Sequence, residues 1–215
     1  MKRNKYIILS IIFTIISAVY TFMVKKIDIQ PIGPKGSKVG FASLNKVFRD
    51  TIGTHMKLYK LAEILGLAIL VIVGIYALIG LYQLIKRKSL LKIDREIIIL
   101  GIFYVLMFAT YIFFEKCIIN YRPVILDGKL EASYPSSHTI LALCTCITSL
   151  IVSKKYVSKK YIKITNIITI LLLFGVFLGR MFSGVHWLSD IIGGFLISLT
   201  LISYFNLMYN FKETR

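Results

Sequence analysis

Acidic side chains are scarce in this 215-residue chain. Ten Asp and Glu stand against 27 Lys and Arg, a formal net charge of +17. Charged residues of both signs reach only 17%, where a soluble domain carries about a quarter. That shortage excludes an ordinary soluble surface. Cysteine is sparse too. Cys117, Cys144 and Cys146 cannot make a disulfide framework, and Cys144-x-Cys146 lies within an apolar run, so all three read as packing residues. No carboxylate cluster and no H-x-x-x-H occurs, so no metal site is expected. The first apolar run ends in "TFMVKKIDI", which lacks a small-residue cleavage site, so it reads as a retained helix and not a signal peptide. Internal repeats and low-complexity tracts are absent as well.

What is present is apolar: 57% of residues are hydrophobic, and they fall into runs. The runs are roughly Tyr6–Val24, Leu61–Ile85, Ile97–Phe114, Thr139–Val152, Ile162–Gly179 and Leu188–Tyr209. A span needs about 20 residues at about 1.5 Å each. The fourth run is short and must borrow polar residues from its flanks. The expected fold is all-α: an integral membrane bundle of six helices in a single domain over 1–215, with a long outer loop at 29–57 and a motif-bearing core at about 60–205.

A balance of +17 would suggest nucleic acid in a soluble protein. Here the basic residues sit at the ends of apolar runs, so membrane lipids, and not nucleic acid, are the expected partners. They also set orientation. "KRKSLLKIDR" and "SKKYVSKKYIK" hold five Lys/Arg each, whereas two alternate short loops share only Lys116, Arg122, Lys129 and Arg180. The positive-inside rule then places both termini in the cytoplasm and those two loops outside. Trp187 fits an interfacial anchor there. The first outer loop carries "IQPIGPKGSKVGFASLN", rich in turn-forming Gly and Pro. It is a connector, or a lid over a headgroup pocket with Lys35 and Lys38 drawing in anions. His55 reads as a surface residue.

Within the outer loops, "KCIINYRPVILDGKLEASYPSSH" and "GRMFSGVHWLSD" collect ionisable groups at one depth. Such groups at a membrane are costly and by default functional. They are Lys116, Arg122, Ser136, Ser137, His138, Arg180, His186 and Asp190. Three cations beside two histidines repel unless an anion sits among them, and arginine forks match phosphate oxygens. One histidine can attack phosphorus and a second can protonate the leaving oxygen. A carboxylate four residues after a histidine can hold Nδ1–H and leave Nε2 free. This inventory suits metal-free phosphoryl transfer.

The same stretches resemble the membrane branch of the type 2 phosphatidic acid phosphatase superfamily, whose pattern is K-x6-RP, PSGH and R-x5-H-x3-D. Arg180, His186 and Asp190 match the third motif in full. Pro135-Ser136-Ser137-His138 has Ser137 where glycine is usual, and Lys116 stands one residue closer to Arg122-Pro123 than usual. A one-residue shift turns Lys116 about 100° on a helix, and Glu115 takes the regular position. The resemblance implies His186 as nucleophile, Asp190 as its orienting partner and His138 as acid and base. Arg122, Arg180, Ser136 and Ser137 would bind phosphate, with Lys116 contributing less. It implies a lipid phosphatase of the cell membrane, free of cofactors, acting at the outer leaflet. Undecaprenyl diphosphate, phosphatidylglycerol phosphate and phosphatidate are open as substrates. A phosphotransferase, or a non-catalytic transporter or binding protein on the same fold, is the alternative.

Overall fold

The computed structural model describes residues 2–211; Met1 and residues 212–215 lie outside the described residues. Seven α-helices follow in order: α1 (Lys2–Lys26), α2 (Ala42–Ile52), α3 (Met56–Arg87), α4 (Arg95–Lys116), α5 (Ser137–Tyr156), α6 (Ile162–Phe182) and α7 (Leu188–Asn210). All but α2 are long and apolar enough to cross a membrane. The described residues contain no strands, only isolated bridges such as Gln30/Val39 and Tyr121/Ala132.

Helix α5 is the hub, packing on α3, α4, α6 and α7. This explains its weak apolar signal. It has the lowest hydropathy of the six spans, 1.4, yet 61% of its window is buried inside the protein. Protein, not lipid, surrounds it, so polar groups are tolerated where they find partners: Thr148 donates to the Cys144 carbonyl at 2.7 Å, and Ser149 meets Tyr76 Oη at 3.1 Å. The short fourth run does extend into polar flanks, from Ser137 to Tyr156.

Helix α1 lies antiparallel on α7, stitched by Ser17–Thr200 at 2.8 Å and Thr14–Tyr204 at 3.2 Å. Each such interhelical bond contributes about 0.6 kcal/mol in a membrane. The pairing sets the start of α1 and the end of α7 at one end of the bundle. The same end holds the two strongly basic loops. Lys155 meets Glu96 at 2.7 Å, and Asp94 joins Arg87, Tyr156 and Gln83 within 3.1 Å. The Arg87 guanidinium, first among these partners, holds the Asp94 carboxyl below its usual range. All the expected site residues lie at the opposite end.

Candidate active site

Three expected residues are set by the junction of α6 and α7. Arg180 is in the last turn of α6, His186 in the connecting turn and Asp190 in the first turn of α7. Gly184 makes the turn possible with φ +70°, and an alanine Cβ there would fall 1.9 Å from the Gly53 carbonyl oxygen. The next residue back, Ser183, accepts the His55 N–H at 2.9 Å, tying the turn to the α2–α3 link. Gly184→Ala is therefore expected to destabilise the protein by more than about 1 kcal/mol, seen as a lower unfolding midpoint in detergent. An unchanged midpoint would show that the turn yields freely.

Asp190 is fully buried and saturated with donors: Ser133 Oγ at 2.7 Å, the Trp187 N–H at 2.9 Å and Asn120 Nδ2 at 3.1 Å. Its Oδ2 stands 3.7 Å from His186 Nδ1, within ion-pair range but too long for a hydrogen bond. On the other side of the ring, Arg122 Nη1 lies 3.0 Å from His186 Nε2. Arginine can only donate, so Nε2 accepts and the ring proton belongs on Nδ1, toward Asp190. Burial lowers the His186 pKa well below its ordinary value; Arg122, Arg180 and His138 push the same way, and the Ser133 backbone weakly opposes them. The ring is neutral at neutral pH, with its Nε2 lone pair presented to a cation.

Arg122 is itself aimed by Glu131, which accepts Nε–H at 3.0 Å while the two backbones pair at 3.0 Å. After the cis Tyr134–Pro135 bond, α5 begins at Ser137, so its first-turn N–H groups open toward the site. The Ser136 N–H donates to the Asp190 carbonyl at 3.0 Å, and Ser136 Oγ, buried, accepts from Thr139 Oγ1 at 3.0 Å. Ser137, Arg122, Ser133 and His186 line a narrow cavity walled by Tyr111, Phe114 and Ile140.

His138 and Arg180 converge on a residue that the sequence reading passed over. Glu63, on α3, places Oε1 3.3 Å from His138 Nε2 and pairs with Arg180 Nη2. The Arg180 guanidinium also lies 4.8 Å from the centre of the Tyr59 ring. Asn120 and Ser133 were likewise unmarked by any motif. So was Asn45 of α2. Buried, it donates to the Gly40 carbonyl and to Ser189 Oγ, each at 2.8 Å, and accepts the Ser189 N–H at 3.0 Å. Gly40 N–H in turn donates to Asn120 Oδ1 at 3.2 Å. The loop between α1 and α2 is thus a buttress on α7, with Lys35 and Lys38 exposed.

Lys116 is not brought into the cavity. It ends α4, exposed, and lines a groove between α1 and α4 with Lys25, while Glu115 lines the cavity instead. Trp187 is not an interfacial anchor: it is 1% exposed, donates Nε1–H to the Tyr121 carbonyl at 2.8 Å and stacks under Arg49. Cys117 is exposed, unlike buried Cys144 and Cys146, because it follows the last turn of α4. His55 is exposed as expected. No group of three His, Cys, Asp or Glu among the described residues could hold a metal ion.

A model of the PAP2 superfamily matches residues 98–213, more than half of the chain. A crystal structure described as the first transmembrane PAP2-type phosphatidylglycerolphosphate phosphatase from Bacillus subtilis has the same fold. Its TM-score is 0.61 at 18% identity, covering 99% of this chain and 100% of that one. No curated protein sequence matches the chain. The six apolar spans, the shared transmembrane fold and the family match together make this chain a multi-pass membrane protein that belongs to the PAP2 superfamily.

Proposed function

We propose that the chain hydrolyses a lipid phosphate or diphosphate at the outer leaflet, without a metal ion, through a phosphohistidine on His186. The observation that carries this reading is the neutral His186 ring with Nε2 on Arg122, beside a cavity floored by the start of α5. A phosphoryl group entering there meets the Arg122 guanidinium and Ser137 in the first turn of α5, whose N–H groups make a natural anion seat, and Arg180 and the Ser136 hydroxyl, buried outside the cavity lining, would join as further ligands. The Nε2 lone pair attacks phosphorus and the bond to the leaving oxygen breaks. His138 gives that oxygen a proton. Water then attacks the phosphorus, His138 takes its proton back, and the P–N bond breaks to release phosphate. Asp190 keeps the proton on Nδ1 throughout and draws closer as the ring becomes positive. Tyr111, Phe114 and Ile140 offer an apolar wall suited to the first carbons of a lipid. Among the candidate substrates, the structural neighbour's phosphatidylglycerolphosphate is the first to assay, with undecaprenyl diphosphate and phosphatidate beside it.

The test is turnover of that panel by purified protein in detergent. Activity is expected to persist in EDTA, because the clamp is already cationic. Complete loss in chelator, restored by Mg²⁺, would overturn the metal-free route. Sidedness is read from Cys117, the exposed cysteine at the site end. The charge of the short loops supports an outward site, so a membrane-impermeant maleimide should label Cys117 on intact cells. Labelling only after permeabilisation would place the site in the cytoplasm.

A further inference from the structure

Helix α3 carries no part of the three motifs, yet one of its faces is built around two of their residues. Tyr59, Ala62, Glu63 and Gly66 stand at i, i+3, i+4 and i+7, a single helical stripe. Tyr59 lies against the Arg180 guanidinium, and Glu63 touches both Arg180 and His138. Gly66 gives the His138 ring its place: a Cβ there would lie 2.9 Å from His138 Cδ2. Ala62 packs under α6, 2.9 Å from where a Cβ on Gly179 would sit. An acidic residue so placed within an apolar span is costly unless it has a task.

Resting on the phosphatase reading above, we propose that Glu63 is a positioning residue that forms a second histidine–carboxylate pair, with His138, on the leaving-group side. An ionised carboxylate only accepts, so the proton facing Glu63 belongs on His138 Nε2. That leaves Nδ1, which is buried and has no hydrogen-bond partner within the protein, as the nitrogen that serves the reaction. The two histidines are then held in opposite tautomers: Asp190 takes the Nδ1 side of His186, and Glu63 the Nε2 side of His138. In the first step Nδ1–H of the His138 imidazolium passes its proton to the leaving oxygen, and the ring keeps Nε2–H on Glu63. In the second step Nδ1 takes a proton from the attacking water and the imidazolium is restored. Arg180 gives Glu63 only Nη2; its Nε and Nη1 are buried without protein partners and stay available to phosphate. One carboxylate therefore aims a clamp residue and the acid together.

Two variants test this. Glu63→Gln removes the charge at constant shape, and Gly66→Ala pushes the His138 ring while leaving Glu63 in place. For each, kcat and KM are measured on a lipid phosphate and on aryl phosphates of graded leaving-group acidity, and the phosphoenzyme is trapped. With the lipid phosphate, both variants should lose kcat by about 10²-fold, the lower range for lost general acid catalysis. With the most acidic aryl leaving group they should recover to within severalfold of the parent, and both should still trap phosphohistidine. Glu63→Asp should restore part of the loss. An unaltered leaving-group dependence in Glu63→Gln, with only KM raised, would mean that Glu63 serves Arg180 alone and would overturn the pair. If Glu63→Gln does not fold, Gly66→Ala decides: no steepening there overturns the pair equally. A parent protein that is folded but traps no phosphohistidine would sink the phosphatase reading, and this inference with it.

Discussion

His186→Ala should abolish turnover of every substrate and leave no phosphoenzyme to trap, whereas His138→Ala should fail on lipid phosphates but act on an aryl phosphate. The difference follows from where the two rings sit. His186 Nε2 is the lone pair beside Arg122, at 3.0 Å, and is the imidazole nitrogen that the proposed route uses as its nucleophile. His138 lies on Glu63, and in the proposed mechanism its contribution is a proton. A nitrophenolate departs without one. General acid catalysis of this kind is worth about 10²–10⁴, so rescue of His138→Ala by an activated leaving group should recover most of that span. The measurement is kcat on paired lipid and aryl substrates, with acid-quenched label on protein as the second readout. Equal rescue of both variants would mean that the roles are exchanged or shared.

Arg122→Ala and Arg180→Ala should each lower kcat/KM by about 10²–10³, the usual loss for one preorganised donor to a developing charge, about 2.7–4 kcal/mol. Lys116→Ala should lose no more than about tenfold, well short of such a donor. Arg122 touches His186 Nε2 and is aimed by Glu131; Arg180 is 0% exposed and aimed by Glu63. Lys116 points its chemistry elsewhere, into the groove it shares with Lys25. Its remaining effect is through-space attraction of an anion, which salt should screen. The three variants are compared on one lipid phosphate at low and high ionic strength, after each is shown to fold. If Lys116→Ala is as inactive as Arg180→Ala, the α4 terminus rearranges to bring the lysine in.

The spans and their order were legible because a membrane imposes a single length scale on apolar runs. The third motif was legible for a local reason. Arg180, His186 and Asp190 sit within one helix–turn–helix, so their spacing is their geometry. The short first motif left the reach of Lys116 open; in the structure Glu115 lines the cavity and Lys116 lines a separate groove. What stayed hidden depends on helices meeting in space. Glu63 was an acid at the start of an apolar run, and only the packing of α3 on α5 and α6 gives it two cationic or titratable neighbours. Asn120 and Ser133 carry no motif and matter only because Asp190 needs donors. Trp187 was misread because a lone tryptophan beside a span usually faces the interface, and the pattern does not show that α2 covers it with Arg49. Helix α2 itself is too short and too mixed in polarity to stand out from a loop.

The network that holds Asp190 draws on Gly40, Asn45, Asn120, Ser133 and Ser189, so it joins the first loop of the chain to its last helix. Helix α1 likewise pairs with α7, far from it in sequence. Contacts this distant in sequence close late, after their loop entropy has been met. Until α7 is in place, α1 and the first loop keep only contacts such as Thr21–Tyr134 and Gly40–Asn120, and Asp190 is not yet set against His186. On the proposed mechanism, a chain without α7 in place lacks the His186–Asp190 pair, so turnover would report that α7 has docked.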